Sequence, residues 1–247
     1  MKVSIITATY NSEKTIKDTV LSLQSQDYPN IEFIIIDGAS KDNTLAVAQE
    51  NCTRITKIIS EPDRGIYDAL NKGILNATGD IIGFLHSDDI FSYPSAISEI
   101  VSSFTDDDID AVYSDLNYVS QKNTDKVVRK WLSGFYDVKK IKLGWMPPHP
   151  TFYMKKKRYD EWGVFDLTYR ISADYDSLLR YLYVHKANVS YLPKVTISMR
   201  VGGESNRSIK NILKKSREDI DVIKKNGLFW PTVLLCKNIS KLPQFIK

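Results

Sequence analysis

The chain has only two cysteines in 247 residues, Cys52 and Cys236. They lie far apart with no metal-ligand spacing, which argues against a disulfide framework and leaves a reduced, cytosolic protein as the expectation. No apolar run approaches the roughly 20 residues of a membrane-spanning helix. Met1-Lys2 runs straight into the strand-like Val3-Ser4-Ile5-Ile6-Thr7, so no signal peptide is expected. No Gly-x-Gly-x-x-Gly follows that strand and no Gly-Lys-Ser/Thr occurs anywhere, which excludes the dinucleotide fingerprint and the P-loop. Internal repeats and low-complexity segments are also missing. What remains is ordinary globular material: 43% hydrophobic and 26% charged residues, in a length that allows one large α/β domain or two small ones.

Charge is unevenly placed. Residues 207–247 carry 10 Lys and Arg against 3 Asp and Glu, a balance of +7, while the rest of the chain carries 24 against 27, a balance of −3. The basic end points to an anionic surface there, and its aromatics are not interleaved with the cations as a nucleic-acid stacking platform requires. Residues 207–225 read as a basic amphipathic helix with Ile209, Ile212, Leu213, Ile220 and Ile223 on one face. Asn226-Gly227 is a stop, and Pro231 could open a second, apolar helix. Such a helix either packs on its own domain or docks on a membrane surface.

The first hundred residues alternate strand and helix. Val3–Thr7, Glu32–Asp37, Lys57–Ser60 and Ile81–Leu85 read as strands, with helices over Ser12–Gln26, Asn43–Glu50 and Ile66–Asn76. Short links in such an alternation imply right-handed crossovers and a mainly parallel sheet with helices on both faces. Further on, Ala111–Ser114, Lys126–Trp131, Asn188–Leu192 and Val195–Arg200 read as strands and Asp174–Val184 as a helix, separated by an aromatic, Pro-rich tract.

Polar clusters sit at the predicted ends of the first four strands: Thr9-Tyr10-Asn11, Asp37-Gly38-Ala39-Ser40-Lys41-Asp42, Glu61-Pro62-Asp63-Arg64-Gly65 continuing to Lys72, and Ser87-Asp88-Asp89. Each alone is turn or capping chemistry. In an open α/β sheet, however, the crevice at the carboxyl ends of the strands binds ligands. Adjacent carboxylates there suit a hard divalent cation that takes its remaining ligands from a diphosphate and water.

The motifs Thr-Ala-Thr-Tyr-Asn at 7–11, Ile-Asp-Gly-Ala-Ser-Lys-Asp at 36–42, Asp-Arg-Gly-Ile-Tyr-Asp-Ala at 63–69, Ser-Asp-Asp at 87–89 and Ile-Ser-Ala-Asp-Tyr-Asp at 171–176 together resemble the family 2 glycosyltransferases of the GT-A fold. These are inverting, sugar-nucleotide-dependent enzymes, and the subgroup resembled serves colanic acid, capsule and O-antigen synthesis. The resemblance spans roughly Lys2 to Gly203. It implies a catalytic domain over 1–206, with a donor-binding half (1–110) and an acceptor-binding half (111–206), and a helical tail over 207–247. By position, Thr9, Tyr10, Asp37, Asp63 and Asp88 would hold the nucleoside, and Asn11, Lys72 and Ser87 belong to the same donor-binding set. Asp89 would hold Mn²⁺ or Mg²⁺. Arg200, beside Gly202 and Gly203, would reach the diphosphate.

An inverting transfer also needs a base for the acceptor hydroxyl. Asp174 matches the second residue of the family's Glu-Asp motif, whose first position is Ala173 here. Asp176 is a second acid in reach, and its structural reading is a first-turn carboxylate paired with Arg180. His149, in a Pro-rich loop, either lines the acceptor site or is structural, and His86 helps shape the donor pocket. The Gln-x-x-Arg-Trp motif of processive relatives is missing, so transfer of a single sugar is expected. The resulting expectation is a metal-dependent enzyme on the inner face of the cell membrane, moving a sugar from a UDP-sugar to a lipid-linked or saccharide acceptor. Two alternatives are a nucleotidylyltransferase, disfavoured because the first loop is not Gly-rich and basic, and a non-catalytic glycan-binding or scaffolding relative.

Overall fold

The computed structural model describes residues 1–202 and 209–239; Gly203 and the expected helix start at 207–208 lie outside the described residues. The strands are β1 (Val3–Thr9), β2 (Ile31–Asp37), β3 (Ile55–Ser60), β4 (Ile81–Phe84), β5 (Ile90–Phe91), β6 (Ala111–Val119), β7 (Val127–Trp131), β8 (Tyr153–Lys155) and β9 (Val189–Arg200). The helices are α1 (Ile16–Gln24), α2 (Thr44–Asn51), α3 (Ile66–Asn76), α4 (Ala96–Ser102), α5 (Val138–Ile141), α6 (Lys156–Trp162), α7 (Ala173–Leu179), α8 (Ile209–Lys225) and α9 (Trp230–Ile239). A π-helical turn over Arg180–Val184 continues α7.

One sheet runs in the order β3-β2-β1-β4-β8-β6-β9-β5, with β7 on β6. β3, β2, β1 and β4 are mutually parallel, and β6 and β9 run the same way; β5, β7 and β8 oppose them. The mostly parallel α/β architecture expected from the alternation is therefore present. Side chains of each strand alternate between two cores, as the period of two demands. Ile6, Ile34, Ile36, Ile82 and Phe84 face α3, α7, α8 and α9. Val3, Ile5, Phe33, Ile35 and Ile81 face α1, α2 and α4. Burial on both faces is why these strands read as continuous apolar runs rather than alternating ones.

Three elements differ from the sequence reading. α1 begins at Ile16 rather than Ser12, because the Ser12 and Glu13 N–H groups donate to Thr44 Oγ1 (2.7 Å) and Asp42 Oδ2 (3.2 Å) at the start of α2. The two short strands expected over 188–200 are one strand. Its pairing with β6 skips Pro193 and Lys194 between Leu192 and Val195, a bulge where the missing proline N–H costs no ladder bond. In α8 the expected apolar face is not buried as a unit. Ile212 and Leu213 are exposed, whereas Asp219, Val222 and Ile223 are buried. Val222 and Ile223 join the core, and Glu218 and Asp219 bond to the 170–172 segment, which turns this face inward.

Candidate active site

The parallel register places the ends of the first strands side by side. Thr9 pairs with Asp37 and Asp37 with Ser60, so the loops that follow form one rim. Asp37 is buried and fully engaged: Ser40 donates to it from its N–H (3.0 Å) and its hydroxyl, and the Ser60 hydroxyl donates at 2.6 Å. It fixes the loop and leaves the outer rim to its neighbours. A Cβ on Gly38 would lie 2.6 Å from Asp63 Oδ2 and 3.3 Å from the Tyr10 ring. Tyr10, Gly38 and Asp63 therefore lie against one another, and a side chain at 38 would have to displace the Asp63 carboxylate. Tyr10 is exposed, and Thr9 Oγ1 is buried with no hydrogen-bond partner among the described residues.

Like Asp37, the expected donor-site residues Asn11 and Lys72 serve the scaffold in this structure. Asn11 has φ 49°, and its Oδ1 accepts the Lys41 N–H at 2.9 Å. Lys72 pairs with Glu61 at 2.8 Å and donates to the Pro62 carbonyl at 3.0 Å, tying α3 to the third loop.

The fourth loop carries Ser87, Asp88 and Asp89. Ser87 Oγ is 2.9 Å from Ser12 Oγ. Asp89 is fully buried, and neither carboxylate oxygen has a hydrogen-bond partner among the described residues. Burial first, then the neighbouring Asp88, pushes its carboxyl well above the usual range, with Arg200 opposing. Arg200 arrives at the same rim because β9 runs parallel to β6 and ends there. Its guanidinium donates to the Asp88 carbonyl (2.8 Å) and to Asp18 of α1, so it braces the acidic turn from behind. A buried carboxylate without a partner is costly when ionised, so it either keeps its proton, as the raised Asp89 carboxyl does, or is completed by a cation. No cluster of three or more His, Cys, Asp or Glu groups that could hold a metal occurs among the described residues. Asp89 thus fits a Mg²⁺- or Mn²⁺-type ion that draws most of its ligands from phosphates and water, and does not fit an all-protein cage.

Beneath this turn His149 stacks on Phe84 (5.1 Å) and lies 6.4 Å from His86. Burial, and then His86, drives His149 down to about 3, so it stands neutral at physiological pH.

Asp174 sits in the first turn of α7. Burial raises its carboxyl; Lys237 and Lys215 oppose this and Asp219 adds to it. Tyr67 of α3 donates its hydroxyl to the Ile171 carbonyl at 2.9 Å, and burial together with the field of Asp174 raises the Tyr67 phenol. Asp176 is buried between Lys225 (3.1 Å) and Arg180 (3.6 Å), the structural pairing expected of it, with Lys225 as an additional partner.

Sequence reasoning missed Tyr118 of β6. Burial raises its phenol and Arg129, stacked 4.1 Å over its ring, opposes this; Asp89 and Asp174 both raise it. It therefore feels both carboxylates at once. Nothing in its sequence neighbourhood marks it, because only the sheet order brings β6 to this edge. The acids of the tail, Glu218, Asp219 and Asp221, were also missed. Three acids inside a basic helix were the one available signal.

The glycosyl transferase family 2 model matches residues 4–172. An uncharacterized glycosyltransferase of Mycobacterium tuberculosis (strain H37Rv) is 32% identical over 186 residues, covering 72% of this chain and 68% of its own. A PGL/p-HBAD biosynthesis glycosyltransferase of Mycobacterium bovis (strain BCG) is 27% identical over 218 residues, covering 86% and 82%. Among solved structures, S. aureus TarS in complex with UDP superposes with a TM-score of 0.67 at 20% identity, over 96% of this chain and 70% of that one. A mannosyltransferase of Pyrobaculum calidifontis in complex with GDP-Man and Mn²⁺ gives 0.68 at 17% identity, over 98% and 70%. With four loops converging on one rim and the family model spanning them all, this chain belongs to glycosyl transferase family 2 and is built on the GT-A fold.

Proposed function

We propose that the protein is a metal-dependent, inverting glycosyltransferase that moves a single sugar from a nucleoside-diphosphate sugar, with UDP as the nucleotide, to a saccharide or lipid-linked acceptor in bacterial surface glycan synthesis. The observation that carries the reading is the buried Asp89 carboxylate at the strand-end rim, whose oxygens have no hydrogen-bond partner among the described residues. Thr9, Tyr10, Asp63 and Asp88 would form the nucleoside side, with Asp37, Asn11, Lys72 and Ser87 holding the loops that carry them. The division into a donor-binding half over 1–110 and an acceptor-binding half over 111–206 belongs to the same proposal. Relatives support the donor class: TarS has been crystallised with UDP and with UDP-GlcNAc, and the archaeal mannosyltransferase with GDP-Man and Mn²⁺.

In the reaction the acceptor hydroxyl oxygen attacks the anomeric carbon while the bond from that carbon to the diphosphate oxygen breaks. Asp174 takes the hydroxyl proton, and the nucleoside diphosphate leaves with the bonding electrons. Bound at Asp89, the divalent ion would offset the charge gathering on the departing diphosphate. Arg200 holds the Asp88–Asp89 turn in place for it. Burial of Asp174 keeps its carboxylate basic enough to accept the proton.

The test is thermal unfolding with UDP, GDP and their sugars, each with and without Mn²⁺. A ligand at about 100 times its dissociation constant adds roughly 2.7 kcal/mol. Stabilisation by UDP that requires the metal and disappears in Asp89→Ala is expected. No response to any nucleotide would overturn the assignment.

No helix among the described residues is long and apolar enough to cross a membrane. The tail presents exposed Ile212, Leu213, Phe229, Leu235 and Ile239 beside its lysines, which supports peripheral docking on the cytoplasmic face of an anionic bilayer. Co-sedimentation with phosphatidylglycerol vesicles, but not with phosphatidylcholine alone, is expected. Equal recovery with both would remove the anionic-membrane proposal.

A further inference from the structure

The three acidic residues of α8 all accept hydrogen bonds from one short segment, Asp219 buried, Glu218 half-buried and Asp221 at the exposed edge. Glu218 accepts three consecutive backbone N–H groups, from Arg170 (3.3 Å), Ile171 (2.8 Å) and Ser172 (3.0 Å). Asp219 accepts the Ser172 hydroxyl at 2.8 Å, and Asp221 the Tyr169 hydroxyl at 3.1 Å. Asp219 is itself held by Lys237 of α9 at 2.9 Å, and Lys237 stands 3.3 Å over the Tyr175 ring. From the opposite side Tyr67 takes the Ile171 carbonyl. Both backbone polar groups of Ile171 are thereby fixed, by two different elements, three residues before Asp174. Lys225 at the end of α8 bridges Asp166 and Asp176 on either side of the same segment.

We propose that Glu218 is a positioning residue for the reaction: with Asp219 and Asp221 it locks the 169–172 segment, sets where Asp174 stands relative to the acceptor hydroxyl, and makes the C-terminal helix a working part of the catalytic site. The inference rests on the reading of Asp174 as the base. Hydrogen bonds from backbone N–H groups to a carboxylate are charge-assisted and strong for their size. A helix serving only to cover apolar surface would need Val222 and Ile223, but would have no use for three carboxylates aimed at one loop. Misplacing a reacting group by an ångström costs about a hundredfold in rate, so small slippage of this segment should be visible in turnover.

The experiment compares full-length wild type with Glu218→Ala, Glu218→Gln and Asp174→Asn. Backbone amide exchange over 170–176 is followed in each variant. So are Mn²⁺-dependent UDP affinity and turnover of UDP-GlcNAc, UDP-glucose and GDP-mannose per folded molecule. In Glu218→Ala, exchange over 170–176 should rise about tenfold. Turnover should fall by about 10- to 100-fold, with UDP affinity unchanged. Glu218→Gln should recover part of the rate, since its amide oxygen can still accept from Ile171 and Ser172. Unaltered exchange over 170–176 in Glu218→Ala would overturn the proposal. So would turnover that falls only in proportion to the folded fraction, or a loss of UDP affinity that matches the loss of rate. Wild-type turnover in Asp174→Asn would instead refute the base assignment itself, whatever Glu218 does.

Discussion

At the residue scale, buried carboxylates with opposite environments give opposite pH behaviour. Asp174 is raised by burial, and the charged groups facing it are Lys237, Lys215 and Asp219, with the phenols of Tyr67 and Tyr118 close by. In its proposed role as base Asp174 must be ionised, so on that proposal turnover should fall as pH drops through a pKa above the ordinary carboxylate range. A raised folded-state value also means that the charged form is disfavoured in the fold, so its contribution to stability is lost as pH rises through that value. Asp174→Asn should therefore lower kcat by about 10²- to 10⁴-fold and unfold at a temperature no lower than wild type at neutral pH. A clear loss of thermal stability would show that the ionised side chain has a structural partner.

Glu32 is the converse case. Burial works to raise it, but hydrogen bonds from Lys2, Ser4 and Thr78 outweigh that and bring it to about 2. Its contribution is present above about 4.5 and is lost as pH falls towards about 2, and is on the order of 3 kcal/mol. Urea titrations of wild type and Glu32→Gln between pH 6 and 2 should converge at the acid end; curves that stay parallel would contradict the assignment.

At the element scale, β4 illustrates how closely neighbouring strands of the sheet pack. A Cβ on Gly83 would stand 2.0 Å from the Tyr153 ring, and that ring is fully buried with nowhere to retreat. Gly83→Ala should cost roughly 1–3 kcal/mol by overpacking, read as a lower urea midpoint with an unchanged slope. The loops obey the same logic. Gly38 lies against Asp63 and Tyr10, whereas Asn11 and Lys72 spend their side chains on loop backbone. An exposed position at the rim and a bond into the scaffold are different jobs, and motif spacing by itself does not separate them.

At the scale of the molecule, the tail is part of the core. Val222, Ile223 and Val233 are buried in the same cluster as Ile6, Phe84 and Leu178. Burying three such side chains contributes roughly 5–9 kcal/mol as an upper bound, comparable with the whole stability of a typical domain. A chain ending at residue 206 should fail to fold or should precipitate. A soluble truncated protein with a cooperative transition near that of the full chain would show that the tail is dispensable.

Hydrophobic patterning alone determined the alternation of strands and helices, the mostly parallel sheet and the convergence of four polar loops. Those features depend on period-two and helical spacing and on local turn chemistry, which are written in consecutive residues. The acidic turn at 87–89 could be found for the same reason, whereas the acid at 174 was singled out by the resemblance of 171–176 to the family's motif. Only the tertiary structure decided that Tyr118 feels both carboxylates, that Arg200 braces the acidic turn, that Pro193 sits in a bulge of one continuous strand, and that α8 turns its acids rather than Ile212 and Leu213 towards the domain. These depend on which strands become neighbours across a hundred residues of chain. They also depend on which buried N–H groups at 170–172 need an acceptor, and a linear pattern does not encode such a long-range requirement.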